Sequence, residues 1–119
     1  NENMNKFNVN NMTVIKSKAP EGMEELPELD AVIIGGSAGG MTGIMDEAQR
    51  LLKVGGRLVV TAVTMETGYT ILKELKGRPF TYEGYQMSIS RYRKAGPYHL
   101  LDPLSPIFIV SATRIAEGE

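Results

Sequence analysis

Gly35, Gly36 and Ser37 follow directly on an apolar run at 31–34, so that residues 30–37 read DAVIIGGS. A continuous apolar run bounded by turn residues is the pattern of a strand buried on both faces. Small residues at its carboxyl end let a ligand approach the backbone, at the edge where open α/β sheets bind ligands. A tight strand-to-helix turn capped by Ser37 or Thr42 accounts for the same residues without any ligand. A second group of chemically able residues is Arg91, Arg93 and Lys94, with the single histidine, His99, close behind. Arginine suits paired recognition of carboxylates, whereas a solvated strand end explains the same charges with no partner at all. Thr61 and Thr64 close another apolar run and offer hydroxyls at the same edge as the glycines, although Thr64 also stands where a helix cap is expected.

Whole classes of chemistry are excluded by composition. The 119 residues include no cysteine and one histidine, which rules out a disulfide framework, a thiolate site and a histidine-rich metal centre. Hydrophobic residues make up 42% and charged residues 23%, an ordinary globular balance. The formal net charge of -1 argues against a general electrostatic binder of nucleic acid. No apolar run approaches the ~18 residues of a membrane span, and the polar amino terminus lacks the apolar core of a secretory signal. The expectation is a cytoplasmic protein with no metal, no nucleic acid and no membrane among its partners.

Periodicity supplies the elements that must position these groups. Residues 2–7 fit the last turns of a helix, 12–16 a short strand, and 19–26 a turn or short helix opened by Pro20 and ended by Pro27. After the strand at 31–34, Met41, Ile44, Met45, Ala48, Leu51 and Leu52 form one apolar stripe of a helix, which Gly55 and Gly56 are expected to stop, Gly55 as a left-handed cap. Residues 57–63 make the next buried strand. Met65, Tyr69, Leu72 and Leu75 then repeat at helical spacing up to Gly77 and Pro79, and the methionines of both helices are expected in the core. Strand, helix, strand, helix is the alternation of a parallel sheet with right-handed crossovers. The order then changes. Residues 80–93 read as one long strand, with Tyr85, Met87, Ile89 and Arg91 on one face, and 107–110 as the last apolar run. Joined without a helix, these two must pair antiparallel. The fold class expected is α/β in a single domain over 1–119, with no repeat or linker.

Three pieces in this order resemble the carboxyl-terminal half of a class I S-adenosylmethionine-dependent methyltransferase, a Rossmann-like fold: DAVIIGGS, the helix end RLLKVGGRLVV at 50–60, and the closing antiparallel strand pair. The tail is more specific. SISRYRKAGPYHLLDPLSPIFIV at 88–110, with TAVTMET after the second buried strand and IGGS after the first, resembles the decarboxylating precorrin methyltransferases of cobalamin synthesis, and the similarity runs from NVNNMTVIKSKAPE onward.

The resemblance implies transfer of a methyl group from S-adenosylmethionine to a ring carbon of a corrin precursor, with loss of carbon dioxide from an acetate side chain. Such a reaction asks the protein mainly to hold donor and macrocycle in line and to exclude water. It implies that Gly35, Gly36, Ser37 and Ala19 lie beside the donor. Arg91, Arg93, Tyr98, His99 and Thr64 would face the tetrapyrrole and its carboxylates. Two departures from the family pattern stand out. Neither the glycine-rich donor turn nor the acidic ribose ligand is found upstream of Asp30, and Lys18 takes the place of an Asp that would accept a hydrogen bond from adenine, which a cation cannot do. An amino-terminally truncated domain with an incomplete donor site, inactive alone, is therefore expected. In the class topology two strands would be missing between 12–16 and 31–34, a gap of roughly three spacings of ~4.8 Å. The bare edge at 31–34 would invite pairing, and with the family's tetrameric habit this points to a homo-oligomer. The competing readings are a class I methyltransferase acting on RNA or protein, which calls for a basic or aromatic surface, and a noncatalytic binding or assembly piece.

Overall fold

Two strands, Leu29–Ile34 (β1) and Leu52–Ala62 (β2), pair in parallel, and the chain crosses between them through the helix Met41–Leu51 (α1). It continues through Met65–Leu75 (α2), Phe80–Met87 (β3), Ser90–Ala95 (β4), Tyr98–Pro103 (β5) and Ile107–Arg114 (β6). The computed structural model describes residues 21, 23, 26–35 and 40–117. The elements expected at 2–7 and 12–16, most of 19–26, and Lys18, Ala19, Gly36 and Ser37 lie outside the described residues. The main sheet has the order β1-β2-β6-β3, with β6 antiparallel to both neighbours. The expected α/β class and the switch from parallel to antiparallel pairing are both present.

The core lies on one face of this sheet. The α1 stripe is as periodicity requires: Met41, Ile44, Met45, Ala48 and Leu51 are buried. They pack with Ile34, Leu58, Val60, Ala62, Val110 and Ala112 from the sheet and with Ile71 and Leu75 from α2. Alternate strand residues, among them Ile33, Val59, Thr61 and Ile109, look to the other face, which no described helix covers.

Three expectations are corrected. First, α1 ends at Leu51 and not at the glycine pair, because Leu52 is already extended and buried as the first residue of β2. Gly55 instead takes φ 89 within an outward excursion of the strand: Leu29 pairs with Leu52 but Ala31 with Arg57. A Cβ on Gly56 would lie 2.8 Å from the Lys53 carbonyl oxygen, so this excursion closes too tightly for a side chain there.

Second, α2 is rotated from its expected stripe. Met65, Tyr69 and Leu72 are 78%, 69% and 46% exposed, while Ile71 and Leu75 are buried. The packing line runs through Gly68, where a Cβ would meet the Phe108 ring at 3.5 Å. A glycine in that line brings the ring close to the helix, and Ile71 then faces the sheet in place of Leu72. Met65 is thus not a core methionine.

Third, the long strand expected at 80–93 is two strands. β3 stops at Met87, and β4 turns through Gly96 (φ 61) and Pro97 to pair with β5 in a separate two-stranded ribbon. The Leu104 N–H donates to the Ile89 carbonyl at 2.9 Å and closes the base of that ribbon.

Placement of the methionines gives a direct test of this core. Met45→Ala, at a fully buried site, is expected to lower the unfolding free energy by about 2–5 kcal/mol. Met65→Ala should change it by no more than about 0.5 kcal/mol, both read from urea titrations followed by circular dichroism.

Candidate functional site

Because β1 and β2 run in the same direction, their carboxyl ends meet at one edge of the sheet. Ile34 pairs with Val60, so Gly35 comes next to Thr61. A Cβ built on Gly35 would meet one described atom within 4 Å, Thr61 Oγ1 at 3.7 Å. The φ of Gly35 is not left-handed, so its backbone conformation does not demand a glycine. The space beside it is therefore open from the sheet side, which fits the approach of a ligand to the backbone.

At the start of α1, Gly40 is left-handed (φ 70) and caps the helix without any side-chain hydrogen bond. Thr42, one of the two residues expected as that cap, is engaged elsewhere: its hydroxyl donates to Glu74 Oε2 at 2.6 Å, linking the first turn of α1 to the last turn of α2. Arg78 reinforces the link by donating to Gln49 Oε1 and Glu74 Oε1, both at 2.8 Å, and by pairing with Asp46 at 2.8 Å. The Thr42 hydroxyl and then the Arg78 guanidinium hold the Glu74 carboxyl below its ordinary pKa. This polar staple sets where α1 begins, and hence where the loop after Gly35 must end.

The two threonines at the end of β2 have different fates. Thr64 is the N-cap of α2: its Oγ1 accepts from the Thr67 N–H at 3.1 Å and donates to Thr67 Oγ1 at 2.9 Å. Thr61 is half-buried on the face away from the helices, and its hydroxyl has no partner among the described residues.

Ala62 pairs with Phe108, and the β3–β6 ladder ends one step further, at Met87 with Ile107. The ribbon therefore leaves the sheet at the carboxyl edge of β2. It carries five of the sequence-predicted residues, Arg91, Arg93, Lys94, Tyr98 and His99, and its register sorts them. Ala95 pairs with Tyr98, Arg93 with Leu100 and Arg91 with Asp102, so Arg91, Arg93 and Tyr98 share one face. His99 lies on the opposite face with Lys94 and Tyr92, whose ring meets the imidazole edge-on at 5.8 Å and 70°. Arg93 is paired with Asp102 at 2.8 Å, an exposed pair worth no more than about 1 kcal/mol. Arg91 has no ion-pair partner among the described residues.

Asp102 is the residue that sequence reasoning missed. An Asp in the strand after a Gly-Pro turn, at a register that meets the arginines, was the available signal. Tyr85, on the uncovered face, donates to Glu83, whose carboxylate raises the phenol above its usual pKa. Among the described residues no group of three His, Asp or Glu could hold a metal ion. A polar recess of about 420 Å³ between Asp46, Gln49 and Arg114 lies at the other end of β6, and Arg114 is already bonded there to the Gln49 and Ile115 carbonyls.

Comparison with known proteins bears on this arrangement. A family model described as a precorrin methyltransferase domain matches residues 1–114. A probable cobalt-precorrin-6B C(15)-methyltransferase (decarboxylating) of Methanothermobacter thermautotrophicus is 28% identical over 84% of this chain and 52% of its own length. The Salmonella typhimurium cobalt-precorrin-6B C(15)-methyltransferase (decarboxylating) is 30% identical over 95% of this chain and 58% of its own. The crystal structure of a precorrin-6Y C5,15-methyltransferase from Geobacter metallireducens superposes with a TM-score of 0.85 at 31% identity, covering 95% of this chain and 60% of that one. The chain thus spans somewhat over half the length of these relatives.

The staple at Glu74 makes stability depend on pH. A carboxyl whose pKa is lowered by folding adds stability above the ordinary carboxylate range, and that contribution is lost as pH falls through the lowered value. Thermal midpoints measured between about pH 6 and pH 3 should therefore fall with acid more steeply in the unmodified chain than in Glu74→Gln. Equal slopes would show that the link carries no stability.

Proposed function

Because the chain belongs to the precorrin methyltransferase domain family, we propose that it serves the methylation of a ring carbon of a corrin precursor, with S-adenosylmethionine as donor and with loss of carbon dioxide from an acetate side chain. The observation that carries this reading is that the open glycine position after β1 and the cationic ribbon β4–β5 issue from the same edge of the sheet. The printed names of the relatives, decarboxylating cobalt-precorrin-6B methyltransferases, support the substrate class.

The donor, when bound, supplies an electrophilic methyl group on a sulfonium. What this chain contributes is position. Gly35 leaves room beside the β1 terminus, and Gly36, Ser37 and Ala19 complete the donor side by resemblance. Arg91, free of an acidic partner among the described residues, is the first candidate for a substrate carboxylate. Arg93 reaches the same ligand only by giving up Asp102. Tyr98 shares their face, while His99 reaches a ligand from the other side of the ribbon. Thr64 contributes through its hydroxyl only in competition with the α2 cap. Since macrocycle and sulfonium carry the reactivity between them, the protein has to align them and keep water out.

We also propose self-association through the ribbon. Tyr92 and Leu101, a directly opposed pair, are each 74% exposed, and a two-stranded ribbon that no described helix covers is marginal alone. The biosynthetic role carries a cytoplasmic location with it.

Two measurements test these statements. In a full-length enzyme that carries this segment, an assay that follows the tetrapyrrole by mass spectrometry should show turnover adding a methyl group and removing carbon dioxide, and Arg91→Ala should raise KM for the tetrapyrrole by about tenfold or more. Unchanged kinetics would remove Arg91 from the substrate site. Sedimentation should show an oligomer that Tyr92→Ser with Leu101→Ser dissociates, and a monomeric unmodified chain would contradict the assembly.

A further inference from the structure

Thr61 has a half-buried hydroxyl with no partner among the described residues, beside a glycine that nothing in the described fold requires. Other glycines of the described chain are held to their type by backbone conformation or by close contact. Gly55 and Gly77 have left-handed backbones, and Gly56 sits against the Lys53 carbonyl. Gly35 has neither reason among the described residues: its φ is ordinary, and a methyl group there would make one van der Waals contact with a described atom, Thr61 Oγ1 at 3.7 Å. An alanine at this position would take up the space next to that hydroxyl, which no other described residue fills.

The surroundings say what kind of group suits the space. On the same face, Thr61 pairs with Ile109 and Ile109 with Tyr85, so the hydroxyl is a polar point beside an apolar side chain. The cations of the ribbon, Arg91, Arg93 and Lys94 against the single Asp102, leave the sheet at this edge and favour an anion. We propose that Thr61 is a ligand-positioning residue: its hydroxyl donates a hydrogen bond to a carboxylate that enters over Gly35, and Gly35 lacks a side chain to admit it. The inference rests on the methyltransferase reading, which offers two sources of that carboxylate, the amino-acid end of the donor and the acid side chains of the tetrapyrrole.

Calorimetric titration of the unmodified chain, Thr61→Val, Thr61→Ser and Gly35→Ala with two probes separates these sources. The probes are S-adenosylmethionine and uroporphyrin, a tetrapyrrole with acetate and propionate side chains. Loss of the hydroxyl in Thr61→Val should weaken one probe by about tenfold or more, while Thr61→Ser stays within about threefold of the unmodified chain. The probe affected identifies the source. Gly35→Ala should keep the thermal midpoint and lose the same probe. The proposal is overturned if Thr61→Val binds both probes as tightly as the unmodified chain, if Thr61→Ser is weakened as much as Thr61→Val, or if Gly35→Ala binds normally. Failure of the unmodified chain to bind either probe would overturn this proposal while leaving the family reading, which rests on the sequence match, in place.

Discussion

The parallel pairing of β1 with β2 is the constraint from which the rest of the molecule follows. Two parallel neighbours cannot be joined by a hairpin, so the chain has to leave the end of β1, cross the sheet as α1 and return to the start of β2. That path brings the carboxyl ends of both strands to one edge. The register is held by burial: Leu58, Val60 and Ala62 face the helices, and a slip by one residue would turn them out and bring Val59 and Thr61 in. Gly35 beside Thr61, Thr64 at the root of α2 and the departure of the ribbon are all fixed relative to this pair.

Where tertiary contact did not interfere, the sequence was legible. The α1 stripe is strong because each apolar residue of it has the right spacing and nothing competes for its face. The change from parallel to antiparallel pairing was legible because no helix separates β3 from β6. The rotation of α2 was not legible, since it depends on Phe108 meeting Gly68 across forty residues of chain. Leu72 and Ile71 are equally apolar neighbours, and only that contact chooses between them. Gly55 misled for a local reason: a glycine after a helical stripe reads as a cap, yet burial of Leu52 in the sheet ends the helix earlier.

For the site, residue types were easier to find than faces. Arg91, Arg93, Tyr98 and His99 stand together on the ribbon, but which of them point the same way depends on the turn at Gly96 and Pro97. With Ala95 opposite Tyr98, odd-numbered residues of β4 share a face with even-numbered residues of β5. A Gly-Pro pair is a turn signal, and reading it as one would have divided the long strand and separated His99 from the arginines. The competition between Thr42 as a cap and Thr42 as the partner of Glu74 could not be settled by sequence, because Glu74 belongs to another helix.

The ribbon has a consequence for energetics as well as geometry. Its six residue pairs are held by a single shared ladder, and no described helix covers either face. Opening it exposes little new apolar surface, so its amides should exchange with solvent by local opening, at a free energy well below that of the β2–β6 ladder. The two ribbon arginines thus ride on an element that is cheap to disorder. A ligand or a second copy that engages them must also supply the free energy that keeps the ribbon closed, which lowers apparent affinity and couples binding to order.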